Sequence, residues 1–109
     1  MEIKKETTES AVIVKLSGDI DLHSSPELRS VLLELVKEKA EVIVLDLSRV
    51  AYMDSSGLAT LIECLQGLRS YSGDLRLAAV PQKVRDVFAL AQLERLFKSY
   101  SSVEEAVTG

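Results

Sequence analysis

Cysteine occurs once in this chain of 109 residues, at Cys64, so no disulfide can close within it and no cysteine cluster can hold a metal. Histidine also occurs once, at His23, which removes a His-rich metal site and leaves any serine nucleophile with a single candidate base, at the start of a different helix. Gly-x-Gly-x-x-Gly, a Walker-type phosphate loop and Gly-x-Ser-x-Gly are all missing, so no nucleotide cofactor and no hydrolase elbow is expected. The basic residues are scattered, as Lys4-Lys5, Lys37, Lys39, Arg69, Arg76, Arg85 and Arg95, and the net charge is −4, so no nucleic-acid partner is expected. No apolar run approaches the ~20 residues of a spanning helix, which argues against membrane insertion. Met1-Glu2-Ile3-Lys4-Lys5-Glu6 carries no apolar leader core, and a cytoplasmic location is the expectation. Repeats, low-complexity stretches and long linkers are absent too.

What remains is one domain, residues 1–109, with 47% hydrophobic and 28% charged residues, enough for a single core. Ile3 to Thr7 alternates weakly and reads as an edge strand. Glu9-Ser10 is a turn, and Ala11 to Leu16 alternates as its hairpin partner. Ser17-Gly18-Asp19 breaks or bends that strand, and Ile20 and Leu22 continue its apolar pattern. Ser24-Ser25-Pro26-Glu27 is a helix start, with a serine cap, proline at the first helical position and an acid in the first turn. Leu28, Val31, Leu32, Leu35 and Val36 form the inner stripe of that helix.

Val42 to Leu47 has the length and branched content of a buried parallel strand. Ser48 to Met53 reads as a connector. Leu58, Leu61, Ile62, Leu65 and Leu68 then fall on one helix face, and Gly73 reads as the left-handed cap beyond it. Leu75, Leu77 and Ala79 alternate as a strand. Pro81 opens a helix with Val84, Val87, Phe88 and Ala91 inward. Leu93 and Leu96-Phe97 suggest a final strand, and Ser101/Glu104 or Ser102/Glu105 a capping box. Cys64 is expected in the core or at its boundary, and His23 in a loop. Strand-helix alternation behind an opening hairpin predicts an α/β domain: a mixed sheet of four or five strands, parallel at its core, with about four helices.

The most informative stretch is Asp54-Ser55-Ser56-Gly57, set between the central strand and the helix after it. A helix N-terminus there presents unpaired N–H groups and the positive end of the dipole, both favourable to an anion. Asp54 or Ser55 also has the chemistry of a plain N-cap. Asp19, Asp21 and Asp54 could in principle hold Mg²⁺, although loop acids more often cap helices and shape turns. A surface serine at a helix N-terminus, with no base or phosphate loop of its own, has the profile of a modification or docking site.

The stretch Leu45 to Leu58, with Asp54-Ser55-Ser56-Gly57-Leu58 at its end, resembles the signature of the STAS family, the sulfate-transporter and anti-sigma-factor-antagonist domains. Leu16-Ser17-Gly18-Asp19-Ile20-Asp21, Ser25-Pro26-Glu27-Leu28 and Gly73-Asp74-Leu75-Arg76-Leu77 extend the likeness over nearly the whole chain. Asp19 stands where the family often has Glu. Ala59 and Gln92 stand where it often has Gly. The resemblance implies a STAS-like fold and a binding protein rather than an enzyme, with no cofactor. Its partners would be an anti-sigma factor with serine kinase activity and a serine phosphatase. By the same resemblance Ser55 is the phosphoacceptor, with Ser56 the alternative. The partner surface would draw on the loop Asp21-Leu22-His23-Ser24 and on Asp54, Ser55, Ser56, Gly57 and Leu58. Two other roles stand beside it: a STAS subunit of a lipid-transport ABC system or a signalling scaffold without phosphorylation, and a small phosphate- or nucleotide-binding enzyme.

Overall fold

From the second strand onward strands and helices alternate, and the order of strands in the sheet follows their order in the chain. The computed structural model describes residues 1–109. Strands β1 (Glu2–Thr7), β2 (Val12–Ile20), β3 (Val42–Met53), β4 (Asp74–Ala78) and β5 (Lys98–Tyr100) form one sheet in the order β1-β2-β3-β4-β5. β1 runs antiparallel to β2, and the remaining pairs are parallel. The helices are α1 (Ser25–Lys37), α2 (Ser55–Arg69), α3 (Gln82–Leu90) and α4 (Val103–Thr108). The expected mixed sheet is therefore present, with β3 central and β1 at an edge. None of the helices is long and apolar enough to cross a membrane.

Side chains leave a strand alternately to its two faces, and the two faces differ in kind. Val14, Leu16, Ile43, Leu45, Leu75 and Leu77 join Leu28 and Leu32 of α1, Leu61 and Leu65 of α2, and Val84 and Phe88 of α3 in a core of 22 buried residues. On the other face Ala11, Ile13, Val44 and Ala78 pack with Ala106 of α4 in a cluster of only five. Three helices thus cover one face, and α4 covers part of the other. Of the residues expected to face inward from the helices, Val31, Val36, Ile62 and Val87 are half-buried, Ala91 is exposed and the rest are enclosed.

Several boundaries differ from the sequence reading, each for a local reason. Ser48 to Met53 is no connector: it is the second half of β3, paired with β2 from Ser17↔Arg49 to Ile20↔Met53. The register shifts between Lys15 and Ser17 and between Gly18 and Asp19, and β3 gains one extra residue at each shift. Such bulges break the two-residue rhythm by which a strand is read. Gly18, at φ +101, bends β2 without ending it. Leu22 does not continue the apolar face; it is exposed in the β2–α1 loop. After α2 the left-handed residue is Ser72, at φ 66, and not Gly73. Gly73 is needed for closeness instead, since a Cβ there would lie 2.8 Å from Leu68 Cδ2. Ala79, at φ 53, lies beyond the end of β4, and Ala91 is exposed past α3. The last strand begins one residue after the apolar segment, because Leu93, Leu96 and Phe97 pack on the core before the chain pairs with β4.

Gln92 takes φ 59 at the turn after α3. That conformation costs a non-glycine residue about 1–2 kcal/mol. Gln92→Gly is expected to raise stability by about 0.5–1 kcal/mol, net of the extra freedom of the unfolded chain. Urea unfolding of the two proteins checks this, and a glycine variant that is less stable would show the turn to be unstrained.

Candidate functional site

The long β2–β3 ribbon ends at a single place. β4 pairs with β3 only as far as Asp46, so within the sheet Leu47 to Met53 is paired with β2 alone. At the tip the Asp54 N–H donates to the Ile20 carbonyl at 3.1 Å, which brings the β2–α1 and β3–α2 loops together. Both α1 and α2 start there, at the carboxyl end of the parallel strands, where open α/β sheets usually place their sites.

Asp54 is the N-cap of α2, in extended backbone conformation. Its Oδ1 accepts from the Ser56 N–H at 2.9 Å, the Gly57 N–H at 3.3 Å and the Ser56 hydroxyl. The Ser56 hydroxyl, more than the flanking N–H groups, holds the Asp54 carboxyl below its ordinary value against the opposing effect of burial. Ser56 Oγ also meets Ser25 Oγ of α1 at 3.1 Å. Ser25 is buried, so this contact satisfies a hydroxyl with little access to water. The two serines of the motif are therefore unlike. Ser56 is half-buried and tied to both helices, while Ser55 is exposed and takes no part in the network.

The neighbouring loop is organised by Asp21. Its Oδ1 accepts from the His23 N–H at 2.9 Å and the Ser24 N–H at 3.0 Å. The Ser24 N–H leads the interactions that hold the Asp21 carboxyl below its usual value. The cap of α1 is Ser24, one residue before the serine that precedes Pro26, and its side chain makes no capping bond. Its hydroxyl turns back, accepting from the Asp21 N–H at 2.9 Å and donating to the Asp19 carbonyl at 2.7 Å. Farther along, the Arg29 guanidinium of α1 makes a two-point bridge to Glu63 of α2, at 2.7 and 2.8 Å.

Of the residues expected at a partner surface, Asp21, His23, Ser24, Asp54, Ser55 and Ser56 come together at this end of the sheet. Gly57 and Leu58 do not reach the surface: both are buried, and they hold the start of α2 in place. Asp19, Asp21 and Asp54 do not converge into a set that could hold a metal ion. Asp21 and Asp54 each commit an oxygen to backbone N–H groups instead. Cys64 is fully buried in α2, and burial pushes its thiol up to about 12, so it is inert packing. Sequence reasoning missed Ser25, whose partner lies 31 residues away and leaves no local signal. Leu22, read both as a continuation of the apolar strand pattern and as part of the partner loop Asp21-Leu22-His23-Ser24, is exposed in that loop.

The family model described as the STAS domain matches residues 2–106. A relative named anti-sigma-B factor antagonist, from Staphylococcus epidermidis, is 28% identical over 96 residues, covering 88% of this chain and 89% of its own. The crystal structure of an anti-sigma factor antagonist from Mycobacterium paratuberculosis superposes with a TM-score of 0.88 at 26% identity, over 98% of this chain and 91% of that one. The Bacillus cell fate determinant SpoIIAA, in its phosphorylated form, shares the fold with a TM-score of 0.77 at 24% identity, over 98% and 97% of the two chains.

Two outcomes are expected from the hydrogen-bond network. Ser56→Ala strands the Ser25 hydroxyl and removes one donor to Asp54, at a cost of about 1–2 kcal/mol, whereas Ser55→Ala changes stability by less than about 0.5 kcal/mol. Chemical denaturation of the two variants distinguishes them, and equal losses would contradict the division of roles. Asp54 and Asp21 both have folded values below their unfolded ones. Each thus adds stability that is complete above the unfolded value of about 4 and fades as pH falls through the folded one. Stability measured from pH 7 to pH 3 should drop at the acid end. Asp54→Asn, which retains an acceptor oxygen but cannot titrate, should drop less steeply.

Proposed function

The chain belongs to the STAS domain family, and we propose that within it this protein is an anti-sigma factor antagonist whose binding is switched by phosphorylation of Ser55. The carrying observation is the difference between adjacent serines: the Ser56 hydroxyl is committed to Asp54 and Ser25, while that of Ser55 stands free at the N-terminus of α2. The similar proteins named antagonists, and a SpoIIAA structure in phosphorylated form, support the reading.

In this reading the unphosphorylated protein binds an anti-sigma factor in the cytoplasm, and the sigma factor goes free. The anti-sigma factor is also the kinase. Ser55 Oγ forms a bond to the γ-phosphorus of ATP, the bond from that phosphorus to the β–γ bridging oxygen breaks, ADP leaves, and the serine proton passes to a base of the kinase. A phosphatase reverses the state by hydrolysis, releasing inorganic phosphate. The antagonist itself catalyses neither step.

The phosphate adds about −1.5 to −2 charges at neutral pH. On the free protein it sits at a helix N-terminus, where the dipole offsets about 0.3–1 kcal/mol. In the complex it meets a surface fitted to a neutral hydroxyl beside the Asp54 carboxylate. A penalty there of about 3–4 kcal/mol corresponds to roughly several-hundred-fold weaker binding. The fold can stay fixed while the interface opens.

The test is incubation with anti-sigma factors of the same genome and ATP, followed by mapping of phosphate by mass spectrometry. Phosphate is expected on Ser55, none on Ser55→Ala, and full partner binding by Ser55→Ala. Ser55→Asp should bind more weakly than wild type but less weakly than the phosphoprotein, having less charge and fewer oxygens. Phosphate confined to Ser56 overturns the assignment. An absence of phosphate, with Ser55→Asp binding like wild type, overturns the switch in favour of an unphosphorylated STAS role such as a transporter subunit.

A further inference from the structure

The edge strand β5 has only three residues, and a cavity of about 70 Å³ remains between it, the end of β4 and α3. Buried Leu77, Val80, Phe88 and Phe97 form its floor, with the two phenylalanine rings stacked at 5.5 Å. Exposed Arg85, Glu94 and Ser99 form its rim. An apolar floor under a few polar groups is the usual make-up of a small-molecule site. None of these residues belongs to the helix starts that carry Ser55 and Ser56.

The rim holds two opposite charges that are not joined. No ion pair engages Arg85 or Glu94. Arg85 is fixed by its Nε, which donates to the Val80 carbonyl at 3.1 Å and leaves both terminal nitrogens of the guanidinium free.

The backbone that sets this rim is strained. Lys39, Ser72 and Gln92 take positive φ just past helix ends, where that conformation is common. Ala79, at φ 53, does so directly after a strand, where no helix end calls for it. Its N–H is tied to the Tyr100 carbonyl of β5 at 2.9 Å. The turn it makes sets the next residue, Val80, with its side chain in the cavity floor and its carbonyl against Arg85. Strain of this kind gathers where a ligand is held.

We propose that this cavity binds a free α-amino acid with a small branched aliphatic side chain, valine being the match in size. The carboxylate goes to the Arg85 guanidinium as a charge-assisted pair, the ammonium to the Glu94 carboxylate, and the side chain onto the phenylalanine floor. The volume is that of roughly two waters at about 30 Å³ each, which suits an isopropyl group and is too small for an aromatic ring. A simple carboxylate would meet Glu94 as a like charge, and a simple amine would meet Arg85; a zwitterion satisfies both. The end of a peptide carries only one of the two charges, so the rim selects a free amino acid. The site shares no residue with the phosphorylation switch and stands independently of the antagonist reading.

The test is titration of the whole chain with L-valine, followed by amide chemical shifts and by the thermal midpoint. Shifts are expected at Val80, Arg85, Phe88, Glu94 and Phe97, and the midpoint should rise with valine concentration. Arg85→Gln and Glu94→Gln should each weaken Kd about tenfold or more, with circular dichroism unchanged. Glycine, which leaves the floor empty, should bind at least about tenfold more weakly than valine. No shift at millimolar valine overturns the site. An unchanged Kd in both variants overturns the pairing with the rim charges. Valinamide or N-acetylvaline binding as tightly as valine assigns the cavity to a chain end and overturns the free amino acid, and glycine binding as tightly overturns the selection by side chain.

Discussion

The absent side chain of Gly57 is the constraint on which the site depends. A Cβ at that position would lie 2.8 Å from Ile20 Cγ2 and from Met53 Cγ, and 3.4 Å from the Ile20 carbonyl oxygen. Only without it can the first turn of α2 seat directly on the joined ends of β2 and β3. Backbone approach of this kind is what glycine alone permits in a packed core. Once α2 is seated, Asp54 is close enough to Ile20 for its N–H to be satisfied, and Ser56 is close enough to α1 to meet Ser25. Two loops distant in sequence become one surface.

That seating also decides which serine is available. Rotation of about 100° per residue along a helix separates the directions of neighbouring side chains. With Gly57 fixed inward, Ser56 falls in the cleft between the helices and Ser55 falls outward. Asp54 then has its Oδ1 occupied by three donors, while its charge remains beside the exposed hydroxyl. The carboxylate thus serves two ends at once: it terminates the helix, and it sets the local field in which a second negative group would have to be accommodated.

Much of this was legible in the chain. The element order, the central place of Val42 to Leu47 and the position of the Asp-Ser-Ser-Gly turn all follow from apolar spacing and from capping residues, which are local signals. What was hidden is non-local. The second half of β3 looked like a connector because two bulges put it out of step, and bulges depend on the neighbouring strand. Ser25 before Pro26 looked like the cap of α1, but the helix starts one residue earlier, and the Ser24 hydroxyl turns back to the Asp21 N–H and the Asp19 carbonyl. Gly73 looked like a left-handed cap, whereas the fold needs its missing Cβ and lets Ser72 carry the positive φ. Gly57 and Leu58 belong to the motif by sequence and to the core by structure, so a conspicuous motif is not the same thing as a surface.

The absence of basic residues from both loops has a consequence for how a phosphate would be read. Phosphoserines that remodel their own fold usually do so by capturing arginine. Residues 16–28 and 50–68 offer none, and the Arg29 guanidinium just beyond is already held by Glu63 at two points. The only intramolecular compensation is the start of α2, and Asp54 already occupies part of it by accepting from the Ser56 and Gly57 N–H groups. A phosphate on Ser55 would therefore stay in solvent on the free protein, with its charge neither neutralised nor converted into a conformational change. Its free energy could be expressed only where water is excluded, which is at an interface. The architecture favours a switch that changes what the surface will bind while leaving the surface where it is.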